Sequence, residues 1–302
     1  MAGGAWPGRE RTLMITQATN YRRRKLVDYG MRGLTIGATV LALIPLVLIL
    51  SYVVFRGAGA LNIAFFTQAY EPPVVGLDGE VGNAGGVLHG IIGSLIIVGI
   101  ALIMALPIGI LAGVFLAEYP SNSVATVVRF CTDVLSAAPS IVIGVAAYVL
   151  IVQRTHQFSA LAGSVALAVL MVPVITRTTE EILKLVPHTM REAAMALGAP
   201  KWWQTLTVVL PTAMSGIMTG VLLAFARATG ETAPLLLTVL GNNNVSVKLL
   251  EPMAALPLLT YKYTDTPFPA QNTLAWGTAL VLTLLVLTVN LSVRWATRSR
   301  TK

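Results

Sequence analysis

The chain has 302 residues, of which 55% are hydrophobic and only 11% charged, and its mean hydropathy is positive. That balance excludes a soluble globular domain and points to a polytopic membrane protein. The formal charge of +8 does not indicate nucleic acid, because it gathers at the ends, in Arg22, Arg23, Arg24 and Lys25 and in Arg294, Arg298, Arg300 and Lys302, as cytoplasmic flanks do.

Residues 1–33 read as a basic cytoplasmic tail, flexible at its start and resting on the anionic inner leaflet nearer the membrane. The first apolar run is longer than the core of a signal peptide, so a cleaved leader is not expected, although Ala58-Gly59-Ala60 resembles a cleavage site. Six apolar spans follow within 34–293: Leu34 to Phe55, Ile91 to Leu116, Val134 to Val152, Ala160 to Thr176, Thr212 to Leu240 and Leu274 to Val293. Each is long enough to cross a bilayer, so the fold class is an all-α membrane protein of six transmembrane helices. An even number of crossings puts both termini on one side. With the termini inside, sixteen lysines and arginines fall on cytoplasmic segments and four on external ones, with Arg227 inside a span. That bias predicts cytoplasmic termini, including a short basic tail at 294–302.

The external segment at about 57–90 is rich in glycine and proline and carries Glu71, Pro72, Pro73, Asp78 and Glu80. The one at about 241–273 carries Asn242, Asn243, Asn244, Pro252, Pro257, Pro267 and Pro269, which predicts an external lid of short pieces rather than another crossing. Gly109 and Gly113, and Gly216 and Gly220, have the small-xxx-small spacing that lets membrane helices approach closely.

A polar cytoplasmic loop at about 177–211 separates the fourth and fifth spans. Within it, Thr189 stands three residues before Glu192, a capping-box spacing that predicts the start of a short helix. Gly198 followed by Pro200 ends that helix and begins another. Trp202, Trp203, Leu206, Val209 and Leu210 share one face of the second helix, which predicts that it lies along an apolar surface.

Arg227 falls near the middle of the predicted fifth span, where a charge costs about 2.5 to 3.5 kcal/mol on an insertion scale. Glu231, four residues on, shares its helical face and partly neutralises it. Pro234 cannot donate to the carbonyl of Gly230, so a bend with a free carbonyl is predicted beside the pair. One reading is an ion pair that holds the bundle together. The other is an anion pathway, since a guanidinium offers a rigid fork to a tetrahedral oxyanion. A carboxylate accepts a hydrogen bond from protonated hydrogen phosphate, whereas fully ionised sulfate has no proton to give.

Ser136-Ala137-Ala138-Pro139-Ser140 is a second candidate, either an ordinary proline kink or a reset helix with backbone N–H groups and serine hydroxyls facing a cavity. Arg129 and Asp133 have the spacing to pair across one turn. Arg177, closing the fourth span, either snorkels to the interface or sits at the inner mouth of an anion path. Cys131 is the only cysteine, which rules out an intrachain disulfide. His89, His156 and His188 are scattered over opposite sides of the membrane, which argues against a metal cluster. There is no phosphate-binding Gly-rich loop, so energised work requires another chain to bind nucleotide.

Glu192-Ala193-Ala194, Gly198 and Leu210-Pro211 resemble the EAA loop of the membrane subunits of bacterial ATP-binding-cassette importers. The strings at Gly109 to Tyr119, Ser136 to Gly144, Val172 to Pro187 and Ala226 to Thr238 resemble the A-type permeases of the phosphate-specific branch. The resemblance implies a type I importer permease in the bacterial cytoplasmic membrane, with no catalytic site or cofactor of its own. Its implied partners are a homologous C-type permease, two copies of an ATPase that binds ATP-Mg, an external phosphate-binding protein, inorganic phosphate and membrane lipid. It further implies that Arg191 to about Trp203 forms a coupling helix on the ATPase, and that Arg177, Arg227 and Glu231 line the phosphate path. Other readings are a permease for molybdate or sulfate, a secondary transporter using Glu231 as proton carrier, and a membrane enzyme. The absence of further intramembrane carboxylates weighs against the second, and the absence of a nucleophile or metal ligands near Arg227 against the third.

Overall fold

The computed structural model describes residues 7–72 and 85–298, with side chains for 21–72 and 85–295. Pro73, Asp78, Glu80, Arg300 and Lys302 lie outside the described residues. The chain divides into two units, Met1–Val54 and Phe55–Lys302. Of the first, the described part is helix: α1 runs Pro7–Ala58, so the basic run Arg22 to Lys25 lies on a helix continuous with the first span. Proline suits a first helical position, and Thr35 and Thr39 return their hydroxyls to Met31 O and Thr35 O at 2.8 Å, which keeps polar groups bonded inside the helix.

In the second unit, α2 (Ile63–Thr67) is capped by Asn62, whose side chain accepts from Phe65 N at 2.7 Å. α3 (Leu88–Glu118) follows, then α4 (Ser123–Ala137) and α5 (Ser140–Ala147), which continues through a π-helical turn, Tyr148–Val152, into α6 (Gln153–Thr155). α7 spans Ala160–Lys184, α8 His188–Ala196 and α9 Lys201–Gln204, which runs through a second π turn, Thr205–Val209, into α10 (Leu210–Thr229). The short α11 (Ala233–Thr238) and α12 (Leu256–Thr264) precede α13 (Pro269–Arg298). Among the described residues five helices are long and apolar enough to cross a membrane, six if α4 and the helix from Ser140 to Thr155 count as one broken span.

α7 is the centre. Two-thirds of its apolar window is buried, more than in any other spanning helix described. α3 reaches it through Ile97, Ala101, Ala105, Gly109 and Gly113, buried at every fourth position, a stripe that is small from Ala101 on and lets the backbones close. A Cβ at Gly109 would stand 2.8 Å from Ile175 Cβ, and one at Gly113 2.7 Å from Thr176 O, so α3 and α7 run parallel. A Cβ at Gly216 would meet Ile182, and one at Gly220 would meet Thr178, so α10 runs antiparallel to α7. These relative directions are those of alternating crossings.

Two predicted spans are corrected. The third is not one rod but bends by 104° between α4 and α5. Ala138 is extended there (ψ 134°) because the following proline disfavours a helical conformation before it. The fifth begins at Lys201 rather than Thr212 and ends at Thr229 rather than Leu240. Gly230 caps it, and Pro234 sits in the first turn of α11, where its missing N–H breaks no helical bond.

The segment 241–273 is not a surface lid throughout. Met253, Ala254, Ala255, Leu256 and Leu258 are at most 1% exposed, and Ser94 Oγ on α3 accepts from Leu256 N at 2.7 Å, capping α12. Tyr263 stacks on Tyr70 at 5.8 Å, and Gln271 donates to Tyr70 OH at 3.0 Å. Leu240 and Gly241 turn left-handed at φ 63° and 89°, and Lys262 Nζ donates to Leu240 O at 2.7 Å, closing the end of α11. Burial at that site pulls the Lys262 ammonium below the usual lysine range, while the Glu251 carboxylate raises that of exposed Lys248.

Candidate translocation site and coupling loop

Because α10 ends at Thr229, Arg227 occupies its last turn and not the middle of a span, where a cation also meets the carbonyl end of the helix dipole. Glu231 lies just past the break, with its N–H bonded to Ala228 O at 3.2 Å. The predicted pair forms loosely: Arg227 Nε lies 3.7 Å from Glu231 Oε1, beyond hydrogen-bond length. Among the described residues Arg227 has no other ion-pair partner, and its side chain is 47% exposed. Its fork is therefore open to an incoming oxyanion.

A second helix break adjoins this one. Gly144 packs against Pro234, where a Cβ would come within 2.7 Å of Pro234 Cα. Ser140 lies one turn before Gly144, and Glu231 three residues before Pro234. Pro139 is the N-cap of α5, which has no side-chain cap, so the first N–H groups of that helix are unpaired within it. Ser136 is exposed and Ser140 half-buried beside them. The structure thus sets Pro139 at a break, as the reset reading requires, and places Pro234 at a helix start rather than a kink.

Arg177 is in a different situation. The α7–α10 register puts Arg227 level with Met171, six residues and about 9 Å along the axis from Arg177. Arg177 Nε donates to Glu181 Oε1 at 2.9 Å, and Nη1 lies 3.9 Å from Asp133 and 3.8 Å from Glu180. Arg129 does not pair with Asp133 across one turn. It donates to Glu180 Oε1 on α7 through Nε at 3.1 Å and Nη2 at 2.8 Å, and Lys184 bonds the same oxygen. The cluster of Arg129, Arg177 and Lys184 with Asp133, Glu180 and Glu181 sums to zero charge. It ties α4 to α7 and leaves no cation unpaired for an anion. Glu180, whose side chain is 1% exposed, is its hub and was not singled out from the sequence, because the predicted fourth span stopped at Thr176.

The loop forms two short helices hinged at Gly198, whose φ of 81° is left-handed and strained for any residue with a Cβ. The capping box does not form: α8 starts at His188 with Pro187 as N-cap and no side-chain cap, because proline presets the turn two residues earlier than Thr189 would. Glu192, Ala193 and Ala194 lie on α8, which has no buried residue. Leu185, Met195, Leu197, Trp202, Trp203 and Leu206 stay exposed, Leu197 at 90%, whereas Val209 is fully buried. The apolar face predicted for the second helix is therefore split: its far end packs in the bundle and its near end is an uncovered patch. Such patches mark interaction sites.

Parallel and antiparallel spans packed on a central helix, broken helices beside a loosely paired arginine, and a surface loop with an uncovered apolar patch suit a membrane permease that works with a partner. The profile of the family described as binding-protein-dependent transport system inner membrane component matches residues 105–301. The chain belongs to that family, within its PstA-type phosphate permease branch. It is 43% identical to the phosphate transport system permease protein PstA of Haemophilus influenzae over 93% of this chain and 98% of that one. Against the protein of the same name from Mycobacterium leprae it is 43% identical over 83% and 82%. Among solved structures it resembles the MetNI methionine ABC transporter, with a TM-score of 0.60 at 19% identity over 72% of this chain and 96% of that one, a likeness in fold. It is a multi-pass inner-membrane protein.

Proposed function

We propose that this chain is one membrane-spanning half of an ATP-driven importer of inorganic phosphate, with both termini in the cytoplasm. The observation that carries phosphate as cargo is the similarity to phosphate permeases over nearly the full length of both chains. A molybdate or sulfate permease is less well supported by that similarity, and a secondary transporter is not favoured. Arg227 is the cargo contact: its fork takes two phosphate oxygens while Glu231 accepts a hydrogen bond from the phosphate hydroxyl. The breaks at Pro139 and Gly230 let the backbone meet an anion there without leaving N–H groups unpaired in lipid. Arg177, being neutralised, holds the wall of the path rather than the anion.

Work comes from elsewhere. The exposed face of Leu197, Trp202 and α8 docks on a separate ATPase that holds ATP-Mg, two copies serving this chain and a homologous permease. An external phosphate-binding protein delivers cargo to the opposite face. α9 and α10 form one rod through the π turn, so movement at Lys201 is passed directly towards Arg227. In the reconstituted complex, phosphate-loaded binding protein is expected to stimulate ATP hydrolysis, and Arg227→Ala to abolish the stimulation while leaving the complex assembled. Hydrolysis indifferent to both phosphate and the substitution would overturn the proposal.

A further inference from the structure

α8 buries no residue, so apolar packing does not fix it to the bundle. Among the described residues, its side-chain hydrogen bonds to the rest of the protein all come from Arg191. Arg191 Nη1 donates to Glu118 Oε1, and Nη2 donates to Leu183 O at 3.0 Å. On the other side of the Gly198 turn, Lys201 Nζ donates to Glu118 O at 2.8 Å and lies 4.3 Å over the Tyr119 ring. One residue at the end of α3 thus receives both arms of the loop. The pair is shielded, with the Glu118 side chain 6% exposed and that of Arg191 15%, so solvent and salt screen it little.

We propose that Glu118 is the positioning residue that makes the coupling loop rigid to load, passing its displacement into α3 and, along the small-residue stripe, into α7. The proposal rests on the reading of the loop as the ATPase contact. A short helix held by one turn and one connecting segment swings under load. Held also through Arg191 and Glu118, it pushes. Without the carboxylate, ATP hydrolysis continues but its stroke is taken up by movement of α8.

The test uses the complete importer in proteoliposomes, with phosphate uptake and ATP hydrolysis measured in parallel. Glu118→Gln keeps the shape of the side chain and an acceptor oxygen while removing the charge. It is expected to leave hydrolysis within about twofold and to lower phosphate imported per ATP about five- to tenfold, the range of an ordinary coupling energy. The swapped pair Glu118→Arg with Arg191→Glu is expected to recover most of the loss, and subunit stoichiometry and thermal unfolding to stay unchanged. A purely structural role would lower assembly or unfolding temperature and leave phosphate per ATP alone. That result, or uptake and hydrolysis falling in step, would overturn the proposal. If Glu118→Gln fails to assemble, Arg191→Gln removes the same bond from the loop side and is held to the same outcomes. Leu197→Glu on the exposed patch separates the two readings. If it leaves ATPase association intact, the loop is not the dock; if it weakens association while Glu118→Gln keeps the ratio, only the role of Glu118 falls.

Discussion

Replacing Glu180 with glutamine removes one charge from the middle of three cations and keeps the shape. Removing one partner from a buried pair costs about 3–5 kcal/mol when the abandoned charge stays buried. Here the abandoned charges do not, since the side chains of Arg129, Arg177 and Lys184 are 27%, 46% and 49% exposed and regain water. The amide oxygen also still accepts from Arg129. What is lost is charge assistance: a hydrogen bond to a charged group contributes about 1.5–3 kcal/mol against about 0.5–1.5 for a neutral one. Spread over Arg129 and Lys184, the loss comes to about 2 kcal/mol, or a fall of about 4–8 °C in Tm for a chain of this size. Thermal unfolding of the purified complex in lipid nanodiscs measures it. Because Glu180 joins α4 to α7, Glu180→Gln and Arg129→Gln are expected to be non-additive by about 1 kcal/mol in a double-mutant cycle. A loss below about 0.5 kcal/mol, or full additivity, would refute the clamp and return these groups to the class of surface pairs.

Two further outcomes follow from contacts already described. Gly113→Ala is expected to destabilise the helix bundle by about 1–3 kcal/mol through overpacking, because its Cβ would stand 2.5 Å from Thr179 Cβ and 2.7 Å from a backbone oxygen. Gly99→Ala, with nothing within 4 Å, serves as the silent control in the same unfolding measurement. Glu231→Gln is expected to reduce the preference for phosphate over sulfate in competition uptake assays; unchanged uptake together with unchanged discrimination would mean that Glu231 does not read the phosphate proton.

Hydropathy located the apolar spans because burial in lipid leaves a long, unambiguous mark, and the spacing of Gly109 and Gly113 announced a close approach that the structure contains. The ends of helices were harder. Pro234 looked like a kink because it lies in an apolar run, yet the chain had already left the helix at Gly230, so the proline starts the next one. The same error of length hid Glu180, four residues beyond the predicted end of its span, and placed Arg227 mid-span instead of in the last turn. Residues 1–33 read as a tail because they are basic and polar, yet polarity does not stop a helix, and from Pro7 on α1 runs through Gly30 and Gly33. Arg227 and Glu231 were legible since a charge inside an apolar run demands a reason. Glu118 was not, because its partners Arg191 and Lys201 lie more than seventy residues away in the chain, and only the packing of α3 on α7 brings them within reach.

The π turn at Thr205–Val209 sets a phase. Residues in a π turn advance by a smaller angle than in an α-helix, so the side of the rod on which Trp202 and Trp203 stand, relative to Arg227, depends on those five residues keeping their wider winding. Deleting one of them and winding the rest as an ordinary α-helix would nearly keep that phase, but winding all five as an α-helix would turn one end against the other by about 100°, the advance of one residue at 3.6 per turn. The apolar patch and the arginine would both remain intact, each facing the wrong way for the other. Winding in this stretch is thus under a constraint that its composition, Thr-Leu-Thr-Val-Val, does not reveal.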